Sequence, residues 1–158
     1  MTRVGWKDIA ELIGIGAIVA SLVFVGMEMR QSQKIAIAAQ YHERASLAVE
    51  WFDQQSYDPT YFAEQCFPDV PAELTPKRAG EICISLLSFM TISDNHLYQY
   101  QAGFLDEESW SARRKGIKVA FRLPAARYLI FEGNDAHRDS FVELARTLVS
   151  EIENDDSD

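Results

Sequence analysis

The stretch that most constrains this chain is Leu12 to Met27, LIGIGAIVASLVFVGM, sixteen residues without a charge between Glu11 and Glu28. As a helix it extends about 24 Å, and with Ile9, Ala10 and Met29 it approaches the roughly 30 Å hydrocarbon thickness of a bilayer. Residues 1–30 are therefore predicted to be an anchor helix, and the chain a single-pass protein of the bacterial inner membrane. Two other readings compete. A cleaved secretory signal also has a short basic start, here Arg3 and Lys7, but no small-x-small cleavage site follows and Glu28-Met29-Arg30-Gln31 continues the helix. A soluble core helix would fit the modest length and Glu11, yet a domain of this size rarely buries one helix on every side.

Orientation is finely balanced. Arg3, Lys7 and the α-amine precede the apolar run, while Arg30, Lys34 and, further off, Arg44 follow it. The sequence leans towards a cytoplasmic C-terminal domain, because two cysteines without a pairing pattern and the lack of a cleavable signal suit a reducing compartment.

Between Glu28 and Ser56 there is neither Pro nor Gly, so the anchor is expected to continue as a stalk helix over residues 31–56. A three-four alternation runs along it through Ala10, Gly14, Ala17, Ser21, Phe24, Glu28, Gln31, Ile35, Ala38, His42, Ala45, Val49 and Phe52. Its first four members are small, which lets two helix backbones approach in lipid and makes self-association through Ala10, Gly14, Ala17 and Ser21 one reading. The other is that small residues are common in membrane helices and that the aqueous half of the stripe packs on its own domain.

Residues 57–153 are expected to form a helical domain packed on the stalk. Asp58-Pro59 and Thr75-Pro76 both read as a cap followed by a helix-opening proline. The second opens the best periodic segment, with Ala79, Ile82, Cys83, Leu86, Met90, Leu97 and Tyr100 on one side and Gly103 at its end. Asp106 caps a helix with Glu107 and Glu108 in its first turn and Trp110, Ile117 and Phe121 facing inward. Pro124 interrupts it, Gly133-Asn134 closes the next turns, and Phe141, Leu144, Ala145, Leu148 and Ile152 mark a last helix. Residues 154–158, NDDSD, are expected to be a disordered acidic tail. No segment alternates like a strand, so the fold class is all-α, a small bundle on a helical stalk.

The opening WKDIAELIGIGAIVASLVFVGMEMRQSQ and the later YQYQAGFLDEESW followed by a basic helix resemble a family of small bacterial single-pass membrane proteins with a helical domain. The resemblance covers much of the chain and implies the architecture; it carries no activity. Leu123-Pro124-Ala125 stands where similar proteins often have Pro-Gly.

No catalytic constellation is legible, and no cofactor is expected. His42 has no ligand type at 38, 39, 45 or 46, which argues against a metal site at helical spacing. His96 ends Ser93-Asp94-Asn95-His96, a chance echo of a penicillin-binding pattern that lacks its Ser-x-x-Lys and Lys-Thr-Gly companions. His137 is expected to help begin the last helix. Asp106, Glu107 and Glu108 could serve as paired carboxylates or hold a cation, but a helix start already accounts for them. Cys66 and Cys83 form no Cys-x-x-Cys motif, and they could pair if the domain faced the periplasm.

Charge is more informative. With 15 Lys and Arg against 24 Asp and Glu, the net charge of −9 disfavours nucleic acid as a partner. Residues 109–131 nonetheless carry Arg113, Arg114, Lys115, Lys118, Arg122 and Arg127 without an acid. This basic helix, with Trp110, is predicted either to contact membrane lipid or a protein partner through Trp110, Arg113, Arg114, Lys118 and Arg122, or to balance the acidic helices within the molecule. The function expected is that of an accessory or scaffold protein that binds a protein partner, or a second copy of itself, at the membrane. The alternative is a tethered sensor whose bundle holds a small apolar ligand, and an enzyme using the carboxylates near 106 comes last.

Overall fold

The computed structural model describes residues 5–54, 58–133 and 137–157, and all regular structure among them is helical. Helix α1 spans Trp6–Gln54, followed by α2 (Thr60–Cys66), α3 (Pro76–Gln101), α4 (Glu107–Ala120), α5 (Pro124–Tyr128) and α6 (Asp139–Asp155). Leu129–Gly133 prolongs α5 as a π-helical turn. The chain divides into two compact units at residues 40 and 41, so α1 residues 41–54 belong with the helical domain and not with a separate stalk.

In the first unit, α1 contains an 18-residue window of mean hydropathy 2.3, none of it buried, and by length and composition this helix can cross a membrane. Leu12, Ile18, Leu22 and Phe24 are exposed along it. Ser21 donates its hydroxyl to the carbonyl of Ala17 at 2.9 Å, which satisfies within the helix the one polar side chain of the small-residue stripe.

In the second unit the caps form largely as the sequence predicts. Thr75 accepts from the Arg78 amide at 3.2 Å with Pro76 in the first turn, and Asp106 accepts from the Ser109 amide at 2.8 Å. At α2 the frame is one residue later: Pro59 is the cap residue and Asp58 takes the Thr60 hydroxyl at 2.6 Å. Gly103 lies past the end of α3 at φ 82°, a left-handed conformation that favours glycine. Leu123 is extended before Pro124, as the proline ring requires, and the Arg127 Nε donates to the Phe121 carbonyl at 2.7 Å across the break.

The core is built by Met90 of α3, Ile117 of α4, Phe121 in the turn after it, Leu129 of the π-helical turn, and Phe141, Leu148 and Ile152 of α6. Two devices hold α2 against α3. A Cβ at Gly80 would lie 1.8 Å from the Pro59 carbonyl oxygen, so only glycine admits this approach. One turn further on, Cys66 and Cys83 form a disulfide, both buried.

Two expectations require correction. Residues 154–156 are not a free tail: α6 runs to Asp155, and Asp155 and Asp156 pair with Lys118 and Arg122, while Asp158 lies outside the described residues. His137 does not cap α6, whose cap residue is Arg138 without a side-chain cap; its ring packs on Phe141 instead. The stalk's expected last residues, 55 and 56, and the expected closing residue Asn134 lie outside the described residues.

Candidate binding grooves

Alternate turns of α1 and α3 bring together residues that are far apart in the chain. Tyr41 stacks on Tyr98 with ring centroids 4.1 Å apart, and Asn95 Nδ2 approaches His42 Nδ1 at 3.4 Å. Beside them Arg138, at the start of α6, clasps Asp94. Its Nε donates to Asp94 Oδ1 at 2.8 Å and a terminal nitrogen to the Asp94 carbonyl at 2.7 Å, while the guanidinium carbon sits 5.3 Å from the Tyr98 ring and 5.9 Å from Tyr41. This cluster ties α1, α3 and α6 at one end. At the other, Phe52 and Trp51 meet Phe62 of α2 edge to face.

Between those two ties the helices part, leaving a groove of about 660 Å³. Ile84 and Asn95 are buried at its base, and Ala45 and Val49 are half-buried. His42, Ser46, Glu50 and Asp53 run along its α1 edge at three- and four-residue spacing, so they share one helix face. Ser85, Ser88, Ile92 and His96 line the α3 edge. Burial holds the His96 imidazole below its ordinary pKa, and the nearby Arg113 and His42 push in the same direction.

A second concavity, of about 590 Å³, lies beside the disulfide. Cys66, Phe67, Pro68, Pro71 and Leu74 form one wall and Ile82, Leu123, Pro124, Ala125 and Tyr128 the other, with Asp69 the one charged residue among them. Proline-fixed backbone and the cross-link make it a preformed apolar pocket within the size range of small-molecule sites.

The residues singled out in the sequence separate on the structure. Ala10, Gly14, Ala17 and Ser21 are all exposed on α1. Trp110 is 6% exposed and stacks on Tyr100 at 5.0 Å, so it belongs to the core and not to a lipid-facing surface. Arg114 pairs with Glu151, Lys118 with Glu151 and Asp155, and Arg122 with Asp156. The intramolecular reading of the basic helix thus accounts for these three, while Arg113 and Lys115 remain exposed. These partners set the titration: the Arg114 hydrogen bond holds the Glu151 carboxyl below its usual range, and Asp155 raises the Lys118 ammonium.

Asp106 is occupied as a cap, its pKa lowered first by the Ser109 backbone amide, and Glu107 accepts from the Tyr100 hydroxyl at 2.6 Å. Among the described residues no three His, Cys, Asp or Glu side chains lie close enough to hold a metal ion. Ser93-Asp94-Asn95-His96 forms one helical turn whose members have separate places: Ser93 and Asn95 are buried, Asp94 holds Arg138, and His96 lines the groove.

Sequence reasoning missed the groove and the Arg138 clasp, and it left open the pairing of Cys66 with Cys83 that the structure shows. Each joins residues from different helices, and no local spacing encodes such a pairing. The chain matches no family model, no curated protein and no solved structure.

Proposed function

We propose that this protein is a single-pass, membrane-anchored helical scaffold that binds a protein partner and performs no chemistry of its own. The observation that carries the anchor is the unburied apolar window of α1, whose hydropathy of 2.3 has no covering surface within the chain. The binding role is supported by the groove between α1 and α3, which is open, largely apolar at its base and polar along its edges. Purification of the tagged full-length protein from native membranes in a mild neutral detergent tests the reading. A stoichiometric protein companion is expected, and a lone monomer would contradict it.

The domain lies on the oxidising side of an inner membrane, with the N-terminal flank inside. The cytoplasmic lean of the sequence rested on cysteines without a pairing pattern and on the lack of a cleavable signal, and the Cys66–Cys83 bond removes the first of these grounds. Disulfides persist in oxidising compartments, which supports this orientation where the basic residues, Arg3 with Lys7 against Arg30 with Lys34, are nearly tied. Protease added to intact spheroplasts should digest the domain; full protection would reverse the orientation.

The apolar pocket beside the disulfide favours a second reading, a tethered module for a small apolar ligand. It predicts a rise in the melting midpoint of the purified protein with lipid or metabolite extracts.

A further inference from the structure

We infer that the groove between α1 and α3 is the partner-binding surface and that its occupant is a basic amphipathic helix of another protein. The inference rests on the scaffold reading above and specifies its site and the partner's chemistry.

Shape comes first. From His42 to Asp53 the α1 edge is twelve residues long, about 16 Å or three helical turns. A channel between two helices with Val49 and Ile84 in its base is the setting in which a third helix lays an apolar stripe, with anchors at three- and four-residue spacing. The Tyr41–Tyr98 stack ties α1 to α3 at one end of the channel, and Phe52 meets Phe62 of α2 at the other.

Charge then selects among helices. Glu50 and Asp53 stand one turn apart on the α1 edge, exposed, and neither takes part in an ion pair among the described residues. The facing α3 edge answers them with hydroxyls, Ser85 and Ser88, and not with a Lys or Arg. Along α6, Glu151, Glu153, Asp155 and Asp156 meet cations of the same fold; Glu50 and Asp53 differ from the protein's other unpaired acids in lining a groove, where they can meet a cation that comes from outside. A partner helix with Lys or Arg flanking its apolar stripe supplies it, and like charge repels an acidic helix.

The test uses the full-length protein in a neutral maltoside and two synthetic helical peptides of one length and one leucine period, with Lys or Glu at the flanking positions. The Lys peptide should bind, with an affinity that falls as salt rises. Glu50→Lys with Asp53→Lys should weaken it at least about tenfold and let the Glu peptide bind in its place. Ser46→Trp, at an exposed position that leaves the core intact, should block both. Glu64→Lys with Glu143→Lys makes the same change in net charge away from the groove and should leave the Lys peptide's affinity unaltered. Equal loss in that control pair, or binding insensitive to Ser46→Trp, overturns the assignment. In native membranes a photo-cross-linker at position 46 should capture a protein segment with a basic amphipathic period. An adduct with lipid or with a second copy of this chain overturns the proposal. If the wild-type protein purifies alone, the scaffold reading fails. If its companion is retained equally by the groove variants, that reading stands and the groove assignment fails.

Discussion

Gly80 shows how much a single position can decide. A methyl group there would strike the Pro59 carbonyl at 1.8 Å, and neither backbone can retreat because the disulfide one turn away fixes the spacing. Gly80→Ala should cost about 3 kcal/mol by overpacking. Gly116→Ala, on an α4 face with nothing within 4 Å, should instead stabilise by about 0.5–1 kcal/mol through helix propensity. Melting midpoints of the two variants in detergent check the contrast. Histidines set the pH response in the near-neutral range. Burial depresses the folded-state pKa of His96 and of His137, whose Nε2 is buried without a hydrogen-bond partner among the described residues. The unfolded chain therefore binds more protons below the ordinary histidine value of 6.5, and stability falls as pH drops through it. The depressed carboxylates Asp58, Asp106, Glu151 and Asp155 titrate lower still and keep their contribution in this range. The melting midpoint should therefore decrease from pH 7.5 to 5.5, and His96→Gln with His137→Gln should flatten that dependence. A midpoint that rises on acidification would contradict the assignment.

At the level of elements, α4, the turn after it and α5 meet α6 along an ionic seam over a packed core. Arg114, Lys118, Arg122 and Arg127 face Glu151, Asp155, Asp156 and Glu153, and most of these side chains are a quarter to two thirds exposed. Such pairs contribute little individually, so Asp155→Asn with Asp156→Asn should cost less than about 1 kcal/mol, and the loss should shrink in high salt. The disulfide is a larger factor: closing a loop across a separation of 17 residues contributes about 3 kcal/mol, which reduction should remove as a drop in melting midpoint. Helix boundaries were legible because their signals are local. Thr75-Pro76, Asp106 and Gly103 each act within one turn, and the core period of α6 is carried by its own residues. The seam was half legible, since a basic run beside acidic helices admits pairing or an outside partner, and three-dimensional register decides. The Arg138 clasp and the His42–Asn95 approach join positions more than forty residues apart and leave no trace in spacing. His137 misled because a polar residue before a helix resembles a cap until its ring is seen against Phe141.

For the whole molecule, one helix contributes to two environments. Up to residue 40 its side chains are largely exposed and apolar; from residue 41 it supplies one wall of a groove in the helical domain. The apolar run was the clearest signal in the sequence, and the structure leaves it uncovered, as a segment intended for lipid would be. The disulfide, the groove and the unpaired carboxylates all acquire their proposed meaning from the anchoring proposed above, which would hold the domain where it can meet a membrane-bound partner. Extraction of native membranes with alkaline carbonate, followed by immunoblotting for the intact chain, tests the anchoring most directly. The full-length protein should remain in the membrane pellet and enter solution only with detergent; recovery of the intact chain in the carbonate supernatant would contradict the account.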